Sequence, residues 1–398
     1  MIKTRTLNVS TDGLEVAFQG ALTVKSLEYL QAEKNKAEEL KEEIYTQFAG
    51  LHGHMLPNGA KGGYRYIFNQ GLMAAKWQIK HSNDQTKWNF YAKMPSGALL
   101  EYGLKNCIAM LYDDLKAMGA KVMSDSVSRF DVCADIEAQG FAIDPNMITA
   151  HSATTARRHL SKEDYAASKD EFHMDIVGLS RIETLTIGKM PGRQIQIYDK
   201  RKQSIKKQLT HWFEVWGKSP KDLEPTWRIE FRAGKNHLKS WNIRTLDDLI
   251  KKAGDMVLQG FGDVRYLVDK KSNITRSKIH PIWETARNEI VRFLQFARQG
   301  AKRGIVKECF KAQKITQLRA MIVGLSTTLC ELEIPRNRRE KMLSYGGGRD
   351  AVFQRLYDFS AGAISKAIEY DPKDLLKKMD RASKKYHFLD DESEAIYA

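Results

Sequence analysis

The chain has 398 residues, 42% of them hydrophobic and 28% charged, which suits a water-borne globular protein with two or three domains and a sizeable core. Its formal net charge of +15 points to a polyanionic partner, nucleic acid ahead of anionic membrane. The composition excludes other classes: no apolar run of about 18 residues offers a membrane span, no lipidation motif is present, Met1-Ile2-Lys3-Thr4-Arg5 lacks the apolar stretch of a secretory signal, and Cys107, Cys133, Cys309 and Cys330 are too scattered for a disulfide frame or a zinc site, so a cytoplasmic protein with reduced thiols is expected.

Residues 12–20 alternate and end at Gly20, predicting a strand. In residues 24–48, Leu27, Leu30, Ala37, Leu40 and Ile44 recur at helical spacing and predict one helix with a solvated charged face. Glycine punctuates residues 51–103, where 64–68 and 76–80 read as short antiparallel strands. Within that region His52-Gly53-His54 would suit two ligands on one strand face, but the glycine between them favours a turn with two exposed histidines. A helix is expected over 104–118, with Ile108, Leu111 and Leu115 inward and Gly119 as its stop.

Residues 128–136 form a clear strand. Phe130, Val132, Ala134 and Ile136 point one way; Arg129, Asp131, Cys133 and Asp135 point the other. Four strand residues separate the two carboxylates by about 13 Å, so at most one can serve a given cation. The competing reading pairs them with arginines.

Residues 140–175 read as a surface excursion with a short helix near 161–168. Residues 183–188 and 194–200 then form a hairpin about Lys189-Met190-Pro191-Gly192, and Lys189 and Arg193 stand where a phosphate could be held. On the returning strand Ile195 and Ile197 face the core, while Gln194, Gln196 and Tyr198 face away. A phenol on a polar strand face, followed by Asp199 and Lys200, is poorly explained as core. A helix rich in Lys and Gln is expected over 200–216.

In the strand 226–232, Trp227, Ile229 and Phe231 are inward and Arg228, Glu230 and Arg232 share the other face. Glu230 reads equally as the centre of a buried salt bridge or as a metal ligand with phosphate-binding neighbours. Residues 244–270 look helical, ending in a strand near 264–268. From 275 the texture turns to long basic helices. Trp283, Ala286, Ile290, Phe293, Leu294 and Ala297 form an apolar stripe, and Arg287, Arg292, Lys302 and Arg303 lie off it as candidate duplex-binding residues. Residues 311–344 read as two helices joined near Pro335, a layout compatible with a helix-turn-helix variant, followed by the glycine break 346–348, helix over 351–387 and an acidic tail. The domain division expected is 1–274 and 275–398.

No P-loop, no G-x-G-x-x-G fingerprint and no zinc spacing is present. One strand tyrosine, several strand carboxylates and arginines on the same faces fit phosphoryl transfer to a protein nucleophile. A phenol is a poor nucleophile unaided. Mg2+ or Mn2+ on two or three carboxylates would offset the phosphate charge, and arginines would hold its oxygens. Attack would give a phosphotyrosine and a free 3′-hydroxyl, conserving the bond energy for rejoining.

The ordered set Asp12-Gly13-Leu14-Glu15-Val16-Ala17-Phe18, Ser128-Arg129-Phe130-Asp131-Val132-Cys133-Ala134-Asp135, Glu183-Thr184-Leu185-Thr186-Ile187-Gly188, Ile197-Tyr198-Asp199-Lys200 and Trp227-Arg228-Ile229-Glu230-Phe231-Arg232 resembles the replication initiation factor family, over roughly residues 12–285 and including His280-Pro281-Ile282-Trp283. These are rolling-circle initiators of small plasmids and filamentous phages, with related relaxases of integrative elements. The resemblance implies an α+β fold, a curved antiparallel sheet with flanking helices, followed here by the basic helical C-terminal domain. It implies strand-specific nicking and rejoining at a hairpin origin, single-stranded at the nick with duplex beside it, a homodimer and a host helicase as partner, while the composition points to no membrane partner. Carried over residue by residue, Tyr198 is the nucleophile and Asp131, Glu183 and Glu230 are the metal carboxylates. Beside these, the residues themselves suggest Lys200 and Arg228 as catalytic companions and Lys189, Arg193 and Arg232 as DNA contacts. Two departures stand out: Thr186 occupies a position where the family often has tyrosine, and Gln203 one where it often has glutamate. The alternatives are a transfer relaxase with the same chemistry, or a non-enzymatic origin- or operator-binding protein in which Tyr198 is structural.

Overall fold

In this computed structural model, residues 3–150, 174–177, 182–222, 224–271, 276–296, 305–333, 354, 357–358, 360–366, 369 and 371–385 are described. In chain order the first half comprises β1 (Thr4–Ala21), α1 (Val24–Leu40), β2 (Ile44–Phe48), β3 (Leu51–Met55), β4 (Tyr66–Asn69), β5 (Lys76–Ile79), β6 (Trp88–Met94), α2 (Ser96–Ala117) and β7 (Lys121–Ala138). Then follow β8 (Ile148–Ala150), β9 (Met174–Val177), β10 (Thr184–Gly188), β11 (Arg193–Asp199), α3 (Lys200–Lys206), α4 (His211–Trp216), β12 (Thr226–Gly234), α5 (Lys235–Ser240), α6 (Leu246–Asp263) and β13 (Val264–Tyr266). The last elements are α7 (Pro281–Phe296), α8 (Ile305–Glu333) and α9 (Pro372–Lys385).

Eleven strands form one antiparallel sheet in the order β2-β3-β4-β5-β6-β1-β7-β12-β11-β10-β9, and β13 pairs with β8 in a separate ribbon. Strict alternation divides the sheet into an apolar and a polar face. Leu14, Val16, Phe18, Phe130, Val132, Ala134, Ile136, Ile195, Ile197, Trp227, Ile229 and Phe231 belong to a single buried core. α2, α6 and α7 close this face, and Trp283 of α7 packs edge-on against Phe261 of α6 at 5.1 Å. Each such side chain taken from water contributes roughly 1.5–3 kcal/mol. The long central pair β1–β7 runs from Thr4↔Ala138 to Ala21↔Lys121 with several register shifts, and each bulge bends the strands further than twist alone.

The fold class is as expected, with several local departures. α1 stops at Leu40, where Lys41 takes a left-handed conformation, and Ile44–Phe48 becomes β2 because its aromatic and β-branched residues pair with β3. His52-Gly53-His54 is strand, not turn: Gly53 lies beneath Phe68, where a Cβ would meet a ring carbon at 2.6 Å, and His54 is buried. The expected helix 200–216 is broken into α3 and α4. Of the expected surface excursion 140–175, residues 140–150 instead enter the core through Phe141, Ile143 and Ile148 and end in β8, while residues 151–173, the Pro335 junction and the acidic tail lie outside the described residues.

The chain divides into two compact units, 1–306 and 307–398. The division falls later than the expected 274/275 because Ile282, Trp283, Ala286 and Ile290 of α7 sit in the core of the sheet unit. In the second unit α8 runs unbroken to Glu333, with Leu318, Met321, Ile322, Val323 and Leu325 exposed.

Candidate active site

Pairing across the sheet brings the polar-face residues into rungs. Tyr198 lies opposite Arg228, and Arg228 opposite Asp135. Gln196, Glu230 and Cys133 form the next rung; Gln194, Arg232 and Asp131 form the one after. β1 completes the row through a bulge. Thr11 pairs with Val132 and Gly13 with Asp131, leaving Asp12 as the extra residue. A bulge re-aims the side chain it carries, and Asp12 turns onto the polar face. Gly13 leaves room there: a Cβ would stand 2.8 Å from Asp131 Oδ2 and force that carboxylate to shift.

Charge pairing is dense. The Arg228 guanidinium is fully buried and donates to Asp135 through Nε at 2.6 Å and Nη2 at 2.8 Å, and to Asp12 Oδ1 through Nη1 at 2.9 Å. Trp216 Nε1 donates to Asp135 Oδ2 at 2.9 Å. Arg232 donates to both oxygens of Glu230, at 2.6 and 3.0 Å. The Tyr198 hydroxyl donates to Glu230 Oε2 at 3.2 Å. Asp12 and Glu230 are close enough for each to shift the other's proton affinity, so two carboxyl groups lie beside the phenol.

The electrostatics follow from this geometry. Burial, reinforced by Glu230, pushes the Tyr198 phenol well above its ordinary value. Burial and then the neighbouring Asp12 raise Glu230. Burial also works to raise Asp12, but Arg228, Lys200 and Arg232 outweigh it and hold that carboxyl low. The two neighbouring carboxyl groups are thus shifted in opposite directions. Burial, with Arg228 nearby, brings Lys200 down to about 8. Its Nζ donates to Gln203 at 3.0 Å and lies 4.8 Å from the Trp212 ring centre and 5.8 Å from that of Tyr198. Arg228 stacks on the same indole at 4.1 Å. Thus α3 and α4 roof one end of the polar face, and Tyr198 retains 6% exposure.

Of the residues singled out in the sequence, Tyr198, Lys200, Arg228, Glu230 and Arg232 come together. Asp131 is adjacent but forked by Arg129, with Nη2 at 2.7 Å, and burial lifts it to about 7. Glu183 pairs with Lys202 of α3. Asp131, Glu183 and Glu230 therefore form no common cage, and among the described residues no group of three potential ligands gathers. Arg193 departs from its expected place at a phosphate: as the first residue of β11 it shares the face of Ile195 and Ile197, and its Nη1 donates to Asp263 of α6 at 2.7 Å. Lys189 is exposed at the far hairpin turn. Arg287 and Arg292 lie on α7, across the sheet from Tyr198, and Arg292 pairs with Glu289 at 3.3 Å. Lys302 and Arg303 lie outside the described residues.

Sequence reading missed Asp12 as a site residue, and with it Trp212 and Trp216. Gly13 inside a strand pattern was the available signal, since an isolated strand glycine marks a bulge.

No protein-family model matches this sequence, and no curated protein matches it. Among solved structures, one titled "Structure of Rolling Circle Replication Initiator Protein from Geobacillus stearothermophilus" is similar, at 16% identity and a TM-score of 0.37, covering 76% of this chain and 100% of that chain. A likeness that loose carries no argument about this chain.

Proposed function

We propose that this protein nicks and rejoins one strand of DNA through a covalent link between Tyr198 and a 5′-phosphate, as an initiator of rolling-circle replication. The observation that carries the reading is the Tyr198 hydroxyl donating at 3.2 Å to the Glu230 carboxylate. In the step proposed, Tyr198 Oη bonds to phosphorus as the bond from phosphorus to the 3′-oxygen breaks. The phenolic proton passes to ionised Glu230, through the Oε2 atom that the hydroxyl already meets. Lys200, near 8, lends a proton to the departing 3′-oxygen and recovers it on rejoining. Arg232, the partly exposed arginine of the strand, holds a phosphate oxygen, while buried Arg228 orients Asp12.

The donor set fits a divalent cation. Asp12 and Glu230 stand as neighbouring carboxyl groups on the polar face, and such ions are commonly held by one or two carboxylates with water and substrate phosphate completing the shell. The proposed ligands are therefore Asp12 and Glu230 rather than Asp131, Glu183 and Glu230. When bound, the ion would draw charge from the scissile phosphate.

One observation favours a second reading, a DNA-binding protein without nicking activity: Tyr198 is only 6% exposed and hydrogen-bonded, as a structural tyrosine would be. Incubation with supercoiled DNA of its own element and Mn2+ separates the two. Nicking predicts open circles carrying protein at the 5′ end, lost in Tyr198→Phe; a binder gives only retardation, unchanged by that substitution. A transfer relaxase would share this chemistry; a homodimer and a host helicase are the partners proposed for the initiator.

A further inference from the structure

The polar face continues well beyond the tyrosine. From Tyr198 and Glu230 it runs through Arg232, Asp131 and Arg129 to Glu15 on β1, which takes Lys93 of β6 at 3.4 Å and the Tyr91 hydroxyl at 2.5 Å. Past β6 come Lys76 and Gln78 of β5, then Lys80. Here the face carries aromatic rings as well as cations. Tyr64 and Tyr91 stand 5.9 Å apart, Lys80 Nζ lies 5.0 Å from the Tyr64 ring centre, and Lys93 Nζ lies 5.7 Å from that of Tyr91.

Two features of this patch are unexplained by folding. Lys76 is directly opposite Lys93 in the ladder, and like charges in register cost stability. Glu15 is the acid of the patch, and it is already shared by Lys93, Arg129 and Tyr91. Lysines interleaved with partly exposed rings are what a polyanion carrying flat, unpaired bases would complement, its phosphates drawing the ammonium groups off the ring faces. A duplex has no free base faces to offer.

We propose that the single strand flanking the scissile phosphate lies across β1, β6 and β5, its bases stacked on Tyr64 and Tyr91 and its phosphates met by Lys76, Lys80 and Lys93. This rests on the nicking reading of Tyr198 and extends its substrate to a single-stranded segment. Five interstrand steps separate β11 from β5, roughly 24 Å, which is a track for a few nucleotides.

The test is fluorescence anisotropy of the full chain with a labelled single strand of about twenty nucleotides and with the matching duplex, for Lys76→Ala, Lys80→Glu and Tyr64→Leu. The expected result is about tenfold weaker single-strand binding for Tyr64→Leu, a salt slope about 0.7 shallower for each lysine lost, and unchanged duplex binding. Melting curves check that each variant is folded; the lysine variants keep the Tyr64 and Tyr91 rings in place and carry the test if Tyr64→Leu unfolds. Single-strand affinity equal to that of the unaltered chain in the lysine variants overturns the track, even where that chain nicks DNA. Failure of the unaltered chain both to nick and to bind single strands overturns the track and the reading of Tyr198 together.

Discussion

Tyr198 and Glu230 touch although they are not partners in the ladder. Tyr198 faces Arg228, Glu230 faces Gln196, and the hydroxyl reaches along the diagonal to the carboxylate. Diagonal neighbours on one sheet face lie within reach of long side chains. The contact therefore needs only two alternating strands in the observed register, and a one-residue slip would abolish it.

The carboxyl pair makes cation binding measurable without any DNA. Mn2+ at about a hundredfold its Kd should stabilise the unaltered protein by about 2.7 kcal/mol. Asp12→Asn or Glu230→Gln should lose most of that gain, and Glu230→Gln should slow nicking by about a hundredfold or more. Denaturant unfolding with and without Mn2+ checks the first, and a gel assay the second. Equal stabilisation of both variants would place the ion elsewhere.

Arg228 should act mainly on stability. It is fully buried between Asp135 and Asp12, and removing one member of such a group strands the others without a counter-charge. Arg228→Met should cost about 3–5 kcal/mol by urea unfolding. Arg232→Met, at a partly exposed position, should cost less stability but lower nicking more.

Lys200 gives a pH signature. Its ammonium pKa lies near 8, below its unfolded value, so it loses its proton as pH rises through 8. If it supplies a proton to the leaving oxygen, nicking falls over that interval. Lys200→Arg should move the fall to higher pH, and Lys200→Ala should remove it and lower the rate throughout. A rate that climbs through pH 8 would assign Lys200 the opposite role.

Asp114 tests the core on the other face. Burial raises its carboxyl to about 6, and its Oδ2 accepts from Trp77 Nε1 at 2.8 Å and Gln70 Nε2 at 2.5 Å. Between about pH 4 and 6 the folded state holds this proton and the unfolded state does not, so rising pH destabilises the fold over that window. The shift corresponds to about 3 kcal/mol at most. An Asn carbonyl oxygen can accept both bonds, so Asp114→Asn should be near neutral at pH 4 and stabilising at pH 7. Unfolding midpoints at the two pH values check this.

Strand faces were legible in the sequence because period-two alternation is unambiguous where one face is buried: the shared side of Arg228, Glu230 and Arg232, and of Asp131 and Asp135, followed from Ile229, Phe231, Val132 and Ala134 alone. Asp12 was not legible, since alternation cannot register an inserted residue, and only its partner strand shows that Asp12 is the extra one. Arg193 was misplaced because it was read as loop; as strand, its parity with Ile195 assigns it to the helix side. The end of α1 was obscured because Ile44 continues the helical period while actually opening β2. Trp212 and Trp216 belong to a separate short helix, which a continuous Lys-rich pattern concealed.

The central claim is tested most directly by mass spectrometry of the protein after reaction with a single strand of its own origin and Mn2+. The account predicts a peptide containing Tyr198 that carries a nucleotide through its 5′-phosphate, absent in Tyr198→Phe. Nicked product with the adduct on another residue, or no adduct while DNA is bound, would contradict it.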